Sequence, residues 1–125
     1  MKKIVRYTVV PHLPERLKPL LDIAYNLWWS WNPEAIELFR GIEPALWRPN
    51  SYNPVKILGT LGAEDIERLL KNEAFLGKMD RVAQDLAVYL RHGTWYQREH
   101  GDHLERKIAY LSAEFGVHES LPLYS

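Results

Sequence analysis

Apolar side chains recur at steps of three and four along two long stretches of the chain, a spacing that predicts helices with one buried face. The first stretch predicts a regular helix over residues 17–31, and the second predicts the longest helix, over residues 73–92. We expect these two helices to pack on each other and to form the core. The residues expected to be buried in that contact are Leu17, Leu20, Ala24, Leu27, Trp28 and Trp31 of the first helix, and Met79, Val82, Leu86 and Leu90 of the second.

Local signals predict several shorter helices between these two. Asn32-Pro33 and Asn53-Pro54 each place a capping asparagine before a proline, which fits the first position of a helix because that position needs no amide partner. Gly41 is expected to end the first of these helices. The predicted shorter helices cover residues 33–40, 43–47, 54–58 and 63–71, and residues 94–104 are predicted to be a polar connector.

The two ends of the chain have the composition of strands. Residues 4–10 are β-branched and aromatic, and residues 108–111 form an almost wholly apolar run. A run of the second kind is typical of a strand that is covered on both faces in an α/β sheet. The expected fold class is therefore mainly α, with α+β character at the edges: a compact helical domain with one strand at each end. An unpaired apolar strand also favours self-association.

The charge balance and the absence of cysteine argue against nucleic-acid, anionic-membrane and zinc-thiolate partners. Sixteen basic and sixteen acidic side chains cancel, so the chain lacks the positive excess that binds nucleic acid or an anionic membrane. It contains no cysteine, which suits a cytoplasmic protein and leaves no thiolate for a zinc site. Apolar runs fall far short of the ~18–20 residues that cross a bilayer. We expect a soluble, cytoplasmic protein with no nucleic-acid or membrane partner.

Two groups of side chains are candidates for function. Tyr25 and Trp29 are predicted to lie together, off the apolar stripe of their helix. Such an aromatic pair could pack against a second layer, dock another domain or stack on a sugar ring. Glu114, Phe115 and His118 follow the last predicted strand, and ligand sites gather at the carboxyl ends of strands in open α/β sheets. No array of histidines and carboxylates predicts a metal site.

Four stretches carry a resemblance to a known family: Leu13-Pro-Glu-Arg-Leu17, Ala24-Tyr-Asn-Leu-Trp-Trp-Ser-Trp-Asn-Pro33, Asn53-Pro-Val-Lys-Ile-Leu58 and Tyr110-Leu-Ser-Ala-Glu-Phe-Gly-Val-His-Glu-Ser-Leu-Pro-Leu-Tyr-Ser125. They resemble the amino-terminal part of bacterial and archaeal α-glucan (glycogen/starch) phosphorylases. The resemblance implies a helical amino-terminal domain over residues 1–104. It implies that residues 105–125 begin a catalytic domain of the GT-B type, with the last predicted strand as the first of its Rossmann-like sheet, and that the chain stops just before that family's glycine-rich loop.

The resemblance also implies an activity for the parent enzyme. That family cleaves α-1,4-glucan with inorganic phosphate, releases glucose 1-phosphate, and binds pyridoxal 5′-phosphate through a lysine. No lysine of this chain lies in the corresponding motif, so the resemblance implies no catalytic or cofactor-binding residue here and an inactive chain. It implies that Glu114, Phe115 and His118 approach the substrate cleft, and that the partners are glucan, phosphate and the chain's own catalytic domain.

Two alternatives from other classes of protein remain. One is a helical interaction domain that controls assembly of the parent enzyme. The other is a carbohydrate-binding module, because several aromatic side chains lie outside the predicted core. Those aromatic residues are Tyr25, Trp29, Trp47, Tyr52, Trp95 and Tyr96.

Overall fold

A computed structural model describes residues 13–50, 52–101, 109–112 and 118. The predicted strand over residues 4–10 lies outside these residues. The described part is helical, which confirms the mainly α class. Its α-helices are α1 (Pro19–Ala24), α2 (Pro33–Ile42), α3 (Pro44–Trp47), α4 (Pro54–Thr60), α5 (Ala63–Leu70), α6 (Glu73–Arg91) and α7 (Trp95–His100), with 3₁₀ turns at Glu15–Leu17 and Leu27–Trp31.

The long helix α6 is the element around which the others pack. Its most extensive contacts are with α1, and it also packs against α2 and α5. The predicted contact between the two longest apolar stripes is therefore confirmed for α1. The side chains that α6 buries lie at helical spacing along one face and are Phe75, Leu76, Met79, Val82 and Leu86.

The predicted regular helix over residues 17–31 is wrong. Helix α1 ends at Ala24, and Asn26 is extended, with φ −106° and ψ 116°. The side-chain oxygen of Asn26 accepts a hydrogen bond from the Trp28 amide at 3.0 Å and so starts a separate 3₁₀ turn, Leu27–Trp31, which we call the tryptophan turn. The helical period that relates side chains to one face holds only within an unbroken helix. The extended residue Asn26 interrupts it, so the break changes which tryptophan points inward.

The predicted asparagine caps are confirmed. The side-chain oxygen of Asn32 accepts from the Ala35 amide at 3.0 Å, and that of Asn53 accepts from the Lys56 amide at 3.2 Å. Two boundaries differ from the prediction. Helix α2 continues through the predicted stop at Gly41, and the predicted connector contains α7, which begins with a reciprocal cap between Thr94 and Gln97.

The described core consists of apolar side chains from every helix except α7. Two residues predicted for it are exposed: Trp31 is 58% accessible and Leu90 is 62% accessible. Leu27 is only half-buried. Residues that the stripe argument left out take their place, and the fully buried ones among them include Ile23, Leu38, Phe39, Ile42, Ile57 and Leu58.

The described residues after Gly101 form no further helix. Residues 109–112 form no regular secondary structure, so a strand over residues 108–111 is not observed in the part of it that the structure describes. Tyr110 and Leu111 are exposed there. Among the described helices, none has the length and hydrophobicity that would let it cross a membrane.

Candidate functional site

Five rings form an aromatic cluster centred on Trp29: those of Trp29, Phe39, Trp47, Tyr52 and His118. The Trp29 ring lies 6.1 Å from that of Phe39 and 6.2 Å from that of Trp47, at interplanar angles of 79° and 73°. The Trp47 and Tyr52 rings are 5.9 Å apart at 72°. These are edge-to-face arrangements, which contribute attraction beyond the burial of apolar area. The cluster joins the tryptophan turn, α2 and α3.

Local backbone geometry positions the outer members of the aromatic cluster. Trp47 is the last residue of α3, and its carbonyl accepts a hydrogen bond from the Tyr52 amide at 2.9 Å. Tyr52 has φ 56°, a left-handed conformation that is uncommon for a residue other than glycine. The turn between α3 and α4 is thus held in a strained form that returns the Tyr52 ring to Trp47.

His118 is the member of the aromatic cluster that comes from the downstream segment. Its ring centre lies 4.6 Å from that of Trp29 at 71°, and its side chain is half-buried. His118 therefore lies beside the tryptophan turn, although it follows Trp29 by 89 positions in the sequence. Glu114 and Phe115, the other two residues predicted to approach a substrate cleft, lie outside the described residues, so that role stays a prediction for all three.

The two members of the predicted aromatic pair differ in exposure, because Tyr25 is 67% accessible whereas Trp29 is only 2% accessible. Trp29 packs against the rings of Phe39 and Trp47, which is the first of the three roles considered for the pair. The break at Asn26 separates the two side chains. Among the other aromatic residues considered for sugar contact, Trp47 is buried and Tyr52 is half-buried. Sequence reasoning also missed Phe39 as a partner of Trp29; the capping asparagine inside the stripe was the one signal of the break.

A groove of about 540 Å³ lies between α1 and α6. Leu21, Ala83, Ala87 and Leu90 are among its apolar lining residues, and Tyr25 stands at its edge. We call these five side chains the α1–α6 face. A second groove, of about 500 Å³, lies where α6 meets α7, and Leu90 lines both grooves.

An ion pair with two hydrogen bonds lies at the surface beside α6. Arg16 donates two hydrogen bonds, each 2.7 Å long, to the two carboxylate oxygens of Asp80. These bonds hold the pKa of the Asp80 carboxyl below its ordinary value and raise the pKa of Arg16. The pair fastens the first 3₁₀ turn to the middle of α6, so we assign it a structural role.

The described part is thus a small helical domain with two surface features. His118 packs on its aromatic cluster, and the α1–α6 face forms an apolar groove on its surface. The chain belongs to the DUF3417 family, described as a protein of unknown function, and the match covers residues 13–121. No solved structure matches it significantly.

Several phosphorylases are similar to the chain over most or all of its length. Glycogen phosphorylase of Mycobacterium tuberculosis is 42% identical over 130 residues, which cover 100% of this chain and 15% of that protein. Maltodextrin phosphorylase of Thermococcus litoralis is 38% identical over 114 residues, 90% of this chain and 14% of that protein. Glycogen phosphorylase of Aquifex aeolicus is 37% identical over 106 residues, 85% of this chain and 14% of that protein. The similarity is to the amino-terminal region of each relative.

Proposed function

We propose that this chain is the amino-terminal region of an α-glucan phosphorylase. The parent enzyme would cleave α-1,4-glucan with phosphate and release glucose 1-phosphate. The observation that carries the proposal is the 42% identity to a glycogen phosphorylase across the entire chain. Because the chain spans only 15% of that relative, we assign the catalytic chemistry to the rest of the enzyme and a structural role to this region.

The proposed division places the helical domain in residues 1–104 and the start of a GT-B catalytic domain in residues 105–125. Two observations support a structural role for the helical part. Its described core is made of apolar side chains, and His118, from the downstream part, rests on the buried Trp29. This ring contact joins one described residue of the proposed catalytic domain to the core of the helical domain.

Pyridoxal 5′-phosphate belongs to the proposed parent enzyme, and the described residues do not fit it. A lysine that binds this cofactor needs an enclosed site. None of the four lysines in the described part is buried: Lys78 is half-buried and the other three are exposed. Two of the exposed lysines are paired with glutamates, Lys18 with Glu15 and Lys71 with Glu67. We therefore assign no step of the reaction to a residue of this chain.

A chimaeric enzyme tests the proposal. This chain replaces the matching amino-terminal region of the M. tuberculosis glycogen phosphorylase, and release of glucose 1-phosphate from glycogen and phosphate is measured. We expect an active chimaera and no activity from the 125-residue chain alone. The control is the M. tuberculosis enzyme without its amino-terminal region. A folded but inactive chimaera would contradict the proposal.

A further inference from the structure

The carboxyl-terminal half of α6 has an unusual distribution of apolar residues. Residues 86–90 are all apolar, and at about 100° per residue they cover every side of the helix. Three of the five are exposed, with Val88 54%, Tyr89 53% and Leu90 62% accessible. A helix that is apolar on all sides is normally buried by other protein. The preceding part of α6 carries exposed charge at Asp80, Arg81 and Asp85, so the apolar surface is confined to one end.

The α1–α6 face is the part of this apolar surface that forms a groove in which another protein segment could pack. Ala83, Ala87 and Leu90 fall at steps of four and three and so form one stripe along α6. Leu21 and Tyr25 of the α1 side complete the groove, and Asp22 is the one charged residue among those that line it. Two alanines leave a shallow floor between larger side chains, which suits the ridge of another helix or loop.

We propose that the α1–α6 face is the surface on which the catalytic part of the parent phosphorylase docks. This inference rests on the proposed function and adds the surface through which the two parts of the enzyme meet. The occupant is protein of the same polypeptide, packed on the face through apolar side chains.

The relatives' length favours this occupant. The chain matches the amino-terminal region of enzymes of which it spans 14–15%, so in each of them the larger part of the polypeptide lies outside the matched region. A small domain attached to a much larger polypeptide contacts it through at least one surface. Burial of an apolar surface without charge pairs gives the most favourable free energy, so such a surface is the best candidate for that contact.

The path of the chain favours the same occupant. His118, in the segment proposed to begin the catalytic domain, lies on Trp29 of the tryptophan turn. The adjacent Trp28 ring lies 6.1 Å from that of Tyr89, beside the exposed end of α6. His118 therefore lies against a turn whose other buried tryptophan meets the exposed end of α6, and Tyr25 lies two residues before that turn.

The other exposed aromatic patch, on α7, is a weaker candidate for docking. Trp95 and Tyr96 are exposed, but both rings already pack against His100, at 5.7 and 5.0 Å. The polar side chains beside them are also engaged, since Arg98 donates to the Gly93 carbonyl. Trp95 also lines the second groove, but its ring and that of Tyr96 already have an internal partner in His100.

Single cysteines test the proposal, because the chain has none of its own. Tyr25→Cys marks the α1–α6 face, because Tyr25 lines the groove between α1 and α6 and not the second groove. Leu90→Cys marks the end of α6 that borders both grooves, and Asp85→Cys, about 140° from Leu90 round α6, is the matched control on the charged side. Each variant is made in the complete chain and in the chimaera with the M. tuberculosis enzyme. The rate of maleimide labelling at the introduced cysteine is followed by mass spectrometry, and each position is compared with itself in the two proteins.

We expect Tyr25→Cys and Leu90→Cys to react at least about tenfold more slowly in the chimaera than in the chain alone, and Asp85→Cys to react equally in both, because docked protein excludes the reagent. Slower labelling of Leu90→Cys without slower labelling of Tyr25→Cys would place the docked protein on the second groove and overturn the inference. Equal rates for Leu90→Cys in a folded, active chimaera would overturn the inference while leaving the proposed function standing. An inactive chimaera would count against the proposed function instead. If the chimaera does not fold, the same cysteines are placed at the aligned positions of the intact M. tuberculosis enzyme.

Two other occupants have their own outcomes. Slow labelling of Leu90→Cys in the chain alone that speeds up on dilution would assign the face to a second copy. Protection of Leu90→Cys in the chain by maltoheptaose would assign it to a glucan. Either result would overturn docking of the catalytic part.

Discussion

Replacement of Trp29 by alanine is the most direct test of how this domain is held together. Trp29 is 2% accessible, and its ring meets those of Phe39, Trp47 and His118. The matched control is Trp31→Ala in the same turn, because Trp31 is 58% accessible. The sequence pattern places Trp31 on the buried stripe and Trp29 off it, so the pair of variants tests which of the two tryptophans stabilises the core.

The expected loss follows from the buried area. A tryptophan that buries about 150–250 Å² contributes about 4–6 kcal/mol at ~25 cal/mol per Å². Measured truncations of buried aromatic residues fall at about 3–5 kcal/mol, since surrounding side chains relax into part of the cavity. A loss of that size is a large fraction of the ~5–15 kcal/mol by which domains are stable. We therefore expect Trp29→Ala to lower the free energy of unfolding by ~3–5 kcal/mol and Trp31→Ala to change it by less than ~0.5–1 kcal/mol.

The assay is urea unfolding followed by far-ultraviolet circular dichroism, which reports helix and does not depend on the tryptophan that is removed. Each variant is compared with the unchanged chain at the same slope of free energy against urea. Equal losses for the two variants, or a larger loss for Trp31→Ala, would refute the inward position of Trp29 and with it the aromatic cluster.

Three further predictions concern α6. Asn72 caps α6, because its side-chain oxygen accepts a hydrogen bond from the Phe75 amide at 3.0 Å. Asn72→Ala should lower the free energy of unfolding in urea by ~1 kcal/mol, whereas Asn72→Asp should retain most of the stability. Asp80→Asn should cost ~0.2–1 kcal/mol at pH 7 and low salt, because both partners of the pair with Arg16 are half-exposed. Folding lowers the Asp80 pKa from its ordinary 3.8, because Arg16 donates hydrogen bonds to the carboxylate, so the carboxylate stabilises the fold above about pH 4. This contribution disappears as the pH falls through the lowered pKa, and a loss that does not shrink as the pH is lowered from 7 would contradict this. Met79→Ala should lower the free energy of unfolding by ~2–5 kcal/mol, because Met79 is fully buried. Leu90→Ser in the chain alone should change the urea unfolding midpoint little, because Leu90 is exposed. Equal losses for the two variants would contradict the exposure of Leu90.

The sequence determined the features that depend on neighbouring residues. Asn32-Pro33 and Asn53-Pro54 predicted two helix starts correctly, because a cap and a proline act within one turn of the backbone. The stripe of α6 predicted its buried side from Met79 to Leu86, because the period of a helix is fixed along an unbroken element. The long match of motifs also pointed to the amino-terminal region of phosphorylases, to which the comparisons show the chain is similar.

Tertiary structure decided which aromatic side chains form the candidate site. The break at Asn26 needs one asparagine side chain to accept a backbone amide, and its consequence is that Trp29 turns toward Phe39 and Trp47 while Trp31 and Tyr25 face outward. No periodic pattern contains that change of direction, because it depends on residues brought together from separate helices. The position of His118 is of the same kind: the sequence places it far from Trp29, and only folding brings the two rings to 4.6 Å.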